Sequence, residues 1–290
     1  MHELQFKKNI IGKQRALNYC LSIRGFLLMF DNSMPLVSVI MPCYNHDAYV
    51  ERAILSVLEQ TYKNIELVVV DDGSKDNSCE VIRRLSEKYG FTFVEQENAG
   101  VCKTLNRGVF EFSKGSYIAV LASDDYWAID KIEKQMELIS AAKDSEFCYT
   151  QGLEFDSDSG EHIRIFPKKP KVGRVLHSVF VSQHVPAGSI LFSRRLFQEM
   201  NGFDESLKEE DWDFVIRAAS LTNFLAVSEP LFYYRSHLGN TMKTRSRRHI
   251  FHDKAKIFAK NYMLVSPIIW LFSLVLHFAY DHLIYYYKSR

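Results

Sequence analysis

Two adjacent carboxylates, Asp124 and Asp125, end the apolar run Tyr117-Ile118-Ala119-Val120-Leu121-Ala122-Ser123. A run of this length with β-branched residues suits a strand covered on both faces. Acids at the carboxyl end of such a strand face the crevice in which open α/β sheets bind ligands. Neighbouring carboxylates repel and resist desolvation unless a cation or hydrogen-bond donors neutralise them. A divalent cation shared with a diphosphate would do so, because hard cations take oxygen ligands and often share them with phosphates. A solvated Asp-Asp turn is the competing explanation, so the pair gains meaning only from its surroundings.

Three other acidic groups compete for attention. Asp71-Asp72-Gly73-Ser74 follows the buried-type strand Ile65-Glu66-Leu67-Val68-Val69-Val70. Glu209-Glu210-Asp211 leads into a helical pattern from Trp212 to Ala219, where the macrodipole favours negative charge and accounts for two of the three acids. Glu154, Asp156, Asp158 and Glu161 lack the EF-hand spacing and read as a solvated hairpin tip. Lys168, Lys169 and Lys171, among Pro167 and Pro170, read as an exposed basic loop.

The elements that must position these acids alternate. Val37 to Met41 is a strand stopped by Pro42, and the turn Cys43-Tyr44-Asn45-His46-Asp47 has the Asn and Asp that turns and caps prefer. Val50, Ala53, Ile54, Val57 and Leu58 share one helical face, as do Val81, Ile82, Leu85 and Tyr89. Phe91 to Val94 is a strand, and Asn98-Ala99-Gly100 opens a helix with Val101, Leu105, Val109 and Phe112 on one side. A helix from about Ile129 to Ala142 places Ile132, Met136 and Ile139 inward. This alternation predicts a mostly parallel, doubly wound α/β sheet. Beyond it the rhythm loosens, with strands expected at Ser189 to Phe192 and Phe224 to Val227.

The 290 residues suffice for a substantial core, and the net charge of +1 argues against a nucleic-acid partner. Five dispersed cysteines form no CxxC pair, which fits a reducing, cytoplasmic setting and packing thiols. No Walker loop, GxGxxG or GxSxG motif supports an ATPase, a dinucleotide oxidoreductase or an α/β-hydrolase. A receiver-like signalling domain, suggested by Val70-Asp71-Asp72, fits poorly with the Ser123-Asp124-Asp125 stretch and the long second half.

From about Leu36 to about Asn240 the chain resembles the family 2 glycosyltransferases of the GT-A fold. The resemblance is carried by Val37-Ser38-Val39-Ile40-Met41-Pro42-Cys43-Tyr44-Asn45, Gln60-Thr61-Tyr62, Val70-Asp71-Asp72-Gly73-Ser74, Asn98-Ala99-Gly100, Leu105-Asn106-Arg107-Gly108 and Ser123-Asp124-Asp125. It implies a nucleotide pocket lined by Pro42, Tyr44, Asn45 and Asp72, with Asp72 on the base and Asp124 on the ribose. It implies Asp125 as ligand of a Mg²⁺ or Mn²⁺ on the diphosphate, His237 near that metal, and Asp211 as catalytic base. Ala122 stands where many relatives carry another Asp, so a strict DxD pattern is lost.

The implied reaction is inverting transfer from a nucleoside-diphosphate sugar, dTDP-rhamnose or a UDP-hexose, to a glycan or glycolipid hydroxyl in surface-polysaccharide assembly such as lipopolysaccharide. Transfer to a polyprenyl phosphate and a catalytically inactive nucleotide-sugar-binding scaffold are the alternatives. The expected organisation is a leader over 1–33, a glycosyltransferase domain over 34–240 divided near residue 130, and a basic linker with an apolar helix over 241–290. Within the last, Met263 to Tyr280 approaches the ~20 residues that span a bilayer. Tyr285-Tyr286-Tyr287 would suit its interface, so the tail is expected to touch the cytoplasmic face of a membrane.

Overall fold

The strand β1 (Val37–Cys43) is buried along nearly its whole length because it is paired on both edges. It lies parallel between β2 (Ile65–Asp71) and β4 (Tyr117–Val120), and β3 (Thr92–Glu95) adds parallel to β2. In a computed structural model, residues 34–142, 144–207, 210–240 and 245–284 are described. The leader expected over 1–33 and the triplet Tyr285-Tyr286-Tyr287 lie outside them.

Successive residues of these strands point to opposite faces. Ile40, Val68, Val70 and Ile118 enter one core, while Val39, Met41, Val69 and Ala119 enter the other. Both faces are covered by helices whose apolar residues recur at helical spacing. α1 (Val50–Leu58), α2 (Ser78–Tyr89) and α4 (Lys131–Ala141) lie on the second face through Ile54, Ile82 and Ile132. α3 (Val101–Phe112) covers the first through Leu105 and Val109. Gly90 closes α2 in the left-handed conformation (φ 78°), which spares a Cβ clash at the helix end. Burial raises the Cys43 thiol to about 11 and the Cys148 thiol to about 12, so both act as inert packing groups.

Beyond β4 the sheet departs from the mostly parallel expectation. Its order is β3-β2-β1-β4-β8-β6-β9-β5, with β7 on β6. β8 (Leu191–Ser193) runs antiparallel to both β4 and β6 (Ser145–Asp156), and β6 runs parallel to β9 (Asn223–Ser236). β5 (Tyr126–Trp127) and β7 (His162–Phe166) pair antiparallel with β9 and β6. The sheet is therefore mixed, and the three residues of β8, Leu191-Phe192-Ser193, carry no signal of strand direction. β9 also joins two runs that the sequence separates at Glu229-Pro230. A register shift there places Pro230 opposite Gln151, one of the few sheet positions a proline tolerates. The hairpin expected around Asp156 forms between β6 and β7, with Glu154 paired to Arg164 at 2.6 Å.

The remaining helices complete the first face. They are α5 (Leu176–Val181), α6 (Arg194–Glu199), α7 (Glu210–Leu221), α8 (Arg247–Lys260) and α9 (Pro267–Ala279). The apolar stretch Met263–Tyr280, already punctuated in sequence by Ser266 and Pro267, is not one helix. Tyr262–Leu264 forms a 3-10 turn, Val265 is extended, and Ser266 caps α9 with Pro267 in its first turn. Among the described residues no helix is long and apolar enough to cross a membrane.

One close approach ties β1 to β4. The Gly115 N–H donates to Ser38 Oγ (2.7 Å) and Glu66 Oε1 (2.9 Å). A Cβ on Gly115 would lie 2.6 Å from Ser38 N and 2.7 Å from Leu36 O, backbone atoms that no rotamer change can move. Gly115→Ala is therefore expected to cost about 1–3 kcal/mol, as overpacking does. The check is a lower denaturant midpoint at unchanged slope, and an unchanged midpoint would refute this account of the contact.

Candidate active site

The loop after β1 and the loop after β2 are stapled together by short side chains. Asn45 sits at φ 56°, a left-handed conformation that Asn tolerates better than most residues. Its N–H donates to Ser74 Oγ (2.9 Å), and its Oδ1 accepts from the Lys75 N–H (2.7 Å). The His46 N–H donates to Ser78 Oγ (2.9 Å) and the Asp47 N–H to Asp76 Oδ2 (3.0 Å). Pro42 is half-buried, and Tyr44 stays exposed at the rim.

Asp71 and Asp72 divide their tasks. Asp71 turns back on its own loop, accepting from the Ser74 N–H (2.8 Å) and Ser74 hydroxyl (2.6 Å). Asp72 reaches forward to the start of α3, accepting from the Ala99 N–H (2.8 Å), the Gly100 N–H (2.9 Å) and Gln96 Nε2 (2.7 Å). Gly73 is required between them, because at φ 78° a Cβ would also lie 2.8 Å from Asn98 N. The segments Asp71-Asp72-Gly73-Ser74 and Asn98-Ala99-Gly100 are thus two halves of one interlock. Gln96 extends it, accepting from Arg107 Nη1 (3.0 Å) beside a cavity of about 330 Å³ lined by Lys103, Asn106 and Glu205 among others.

After β4 the two paired acids part company. Asp125 is buried and its Oδ1 accepts the Arg235 N–H (2.8 Å). The same arginine donates from Nε to the Asp124 carbonyl (2.8 Å). Burial, then the Asp124 charge, raises the Asp125 pKa well above the usual carboxylate range. Asp124 turns the other way, with Oδ2 at 3.1 Å from His237 Nε2 and 3.9 Å from His46 Nε2. Burial disfavours its charge, but the His237 hydrogen bond and the nearby His46 outweigh that effect and lower its pKa.

His46, Asp124 and His237 therefore form a group whose ligand atoms all lie within 4.8 Å of one another. His46 Nδ1 lies 2.8 Å from Ser123 Oγ, a partner that can accept its proton and leave the Nε2 lone pair for a metal. His237 is held by Asn240, whose Oδ1 accepts the His237 N–H (2.6 Å) and whose Nδ2 donates to the Arg235 carbonyl (3.1 Å). Its Nδ1 accepts the Gly239 N–H (3.2 Å), so the neutral ring carries its proton on Nε2 and donates to Asp124. A cation here would have to displace that proton. Two imidazoles and a low-pKa carboxylate fit a divalent transition ion better than the all-oxygen preference of Mg²⁺.

Asp211 belongs to a different pair of elements, at the start of α7. Gln183 Nε2 donates to its Oδ2 (3.3 Å), and burial raises its pKa despite that hydrogen bond. Its neighbour Asp213 is structural, bonded to Arg217 (2.6 Å), Lys260 (3.0 Å) and Asn261 (2.8 Å). The Trp212 indole donates to the Val179 carbonyl (2.6 Å) and fixes the helix start against α5.

The structure thus brings Asp124, Asp125 and His237 together, and adds His46, Ser123 and Arg235, which sequence reasoning did not single out. The available signal for His46 was its place in the turn after β1, at the same sheet end as Asp124. The acidic residues of the β6–β7 hairpin take no part: Asp156 accepts from Asp158 and Ser159 within its own turn.

The profile described as glycosyl transferase family 2 matches residues 38–200. An uncharacterized glycosyltransferase of Rickettsia prowazekii is 33% identical over 215 residues, covering 72% of this chain and 67% of that protein. Among solved structures, S. aureus TarS 1-349 in complex with UDP-GlcNAc superposes with a TM-score of 0.67 at 18% identity, over 86% of this chain and 73% of that one. The mannosyltransferase PcManGT of Pyrobaculum calidifontis in complex with GDP-Man and Mn²⁺ does so with a TM-score of 0.63 at 20% identity, over 86% and 70%. With the profile covering more than half of the residues, the chain belongs to glycosyl transferase family 2.

Proposed function

We propose that the chain transfers a sugar from a nucleoside-diphosphate donor to a hydroxyl acceptor with inversion, assisted by a divalent cation. The reading rests on one observation: the Asp124 carboxylate, its pKa lowered, stands between His46 and His237 at the crevice end of the parallel strands. His46, Asp124 and His237 would hold the cation, Mn²⁺ in preference to Mg²⁺. Bound there, it would draw charge from the departing diphosphate. This assignment moves the metal role implied for Asp125 to its neighbour, because Asp125 is buried with Oδ1 on the Arg235 N–H, while Asp124 faces the two histidines. Pro42, Tyr44, Asn45 and Asp72 would frame the nucleotide, with Asp72 offering a carboxylate already fixed by two backbone N–H groups.

Asp211 would act as general base. As the acceptor oxygen bonds to the anomeric carbon, the bond from that carbon to the diphosphate oxygen breaks and the leaving group takes the electron pair. The acceptor proton passes to the Asp211 carboxylate, held in place by Gln183. A base whose pKa is raised by burial is better matched to this task than an exposed aspartate. The donor is proposed as a UDP-hexose or dTDP-rhamnose and the acceptor as a surface glycan or glycolipid, in line with the sequence resemblance.

Two experiments separate these roles. Asp124→Asn should weaken Mn²⁺-dependent nucleotide-sugar binding by roughly 10–100-fold, whereas Asp125→Asn, which mimics the neutral acid, should leave it within a few-fold. Calorimetry giving the reverse order would return the metal to Asp125. Asp211→Asn should lower kcat by roughly 10²–10⁴-fold while donor affinity is retained. In the unaltered enzyme kcat should fall as pH drops through the raised Asp211 pKa, because the base is then protonated. That acid limb should vanish in the residual activity of Asp211→Asn, and its persistence would exclude Asp211 as the base.

A further inference from the structure

α9 is inverted relative to a helix built for water. Its polar positions face the protein: Ser273 is fully buried, and His277 Nε2 meets the Val181 carbonyl at 3.0 Å. One turn further on, buried Asp281 accepts from Lys254 Nζ at 2.8 Å. Its apolar positions face outward instead. Ile268 is 80% exposed, and Leu271, Phe272, Val275 and Phe278 are 49–57% exposed; Met263, just before the helix, is 80% exposed. Soluble monomers rarely leave an apolar strip of this extent uncovered.

The neighbouring helix α8 supplies charge of one sign. Arg248 and Lys256 stand on its exposed side, with the polar His252 between them. The only acids between residues 245 and 284, Asp253 and Asp281, are both buried; Asp281 is paired with Lys254, and Asp253 with Arg245 and, at 4.0 Å, with Lys256. A second copy on the strip whose twofold axis passes beside α8 would set Arg248 and Lys256 against their own equivalents, with only the buried Asp253 near Lys256 to offset them. An anionic bilayer satisfies both features, taking the apolar strip among its acyl chains and the cations among its headgroups. Even with the π-helical turn Tyr280–Ile284 that continues it, α9 stays shorter than a hydrocarbon core of about 30 Å, and no described helix is long and apolar enough to cross one, so it lies in the plane.

We infer that α8 and α9 form an interfacial anchor that docks the chain on an anionic membrane surface. This does not depend on the catalytic assignments. The test is co-sedimentation of the full chain with vesicles of phosphatidylcholine, alone or mixed with phosphatidylglycerol. Binding should require the anionic lipid and weaken with salt. It should fall roughly tenfold or more both in Leu271→Ser/Phe272→Ser/Val275→Ser and in Arg248→Glu/Lys256→Glu. All these positions are exposed, and an unchanged melting temperature would show that the variants remain folded. A full chain that stays in the supernatant with both vesicle types would overturn the inference. So would a lipid-free dimer that the triple substitution dissociates and that ignores vesicles, since the strip would then be a contact between copies.

Discussion

Two neighbouring carboxylates cannot both be taken out of water as anions, and the site is built around that prohibition. The chain resolves it by asymmetry. Asp125 is sent inward, where a raised pKa keeps it toward the neutral acid and the Arg235 N–H satisfies it. Asp124 faces two imidazoles, whose hydrogen bond and proximity lower its pKa. Arg235 enforces the split from both sides, its backbone on one acid and its guanidinium on the carbonyl of the other. The long β9 exists, in this sense, to deliver Arg235 and His237 to the tip of β4, and its pairing with β5 fixes the register at which they arrive.

The parallel half of the fold was legible because its signals are local. Apolar strands, one-faced helices and turn residues each declare themselves within about ten residues, and the two faces of β1 follow from simple alternation. The mixed half was not, since the order of β8, β6 and β9 depends on pairings far apart in sequence. Pro230 hid the continuity of β9 until its partner strand supplied a compensating irregularity.

The site was legible in the same proportion. The acids could be named from strand ends, but which of the adjacent pair points outward depends on Arg235, 110 positions later. His46 went unread because a histidine in a turn has no distinguishing pattern until Ser123 and Asp124 are brought beside it. By contrast, the motif at Asp72 and the motif at Gly100 were visible separately, and the structure explains why they travel together. A single carboxylate closes the turn that begins α3.

The inner side of α9 also has a consequence for how the two ends of the enzyme communicate. The His277 ring packs 5.1 Å from Trp212, the residue after Asp211, and holds the carbonyl of Val181, two residues before Gln183. α9 is therefore part of the wall behind Asp211, the residue proposed as base, not a handle attached to a finished domain. Shortening the chain before Ser266 to gain solubility would unroof that wall. The outer strip and the start of α7 thus share one supporting layer, in which the His277 imidazole sits beside Ile269, Trp270 and Leu274.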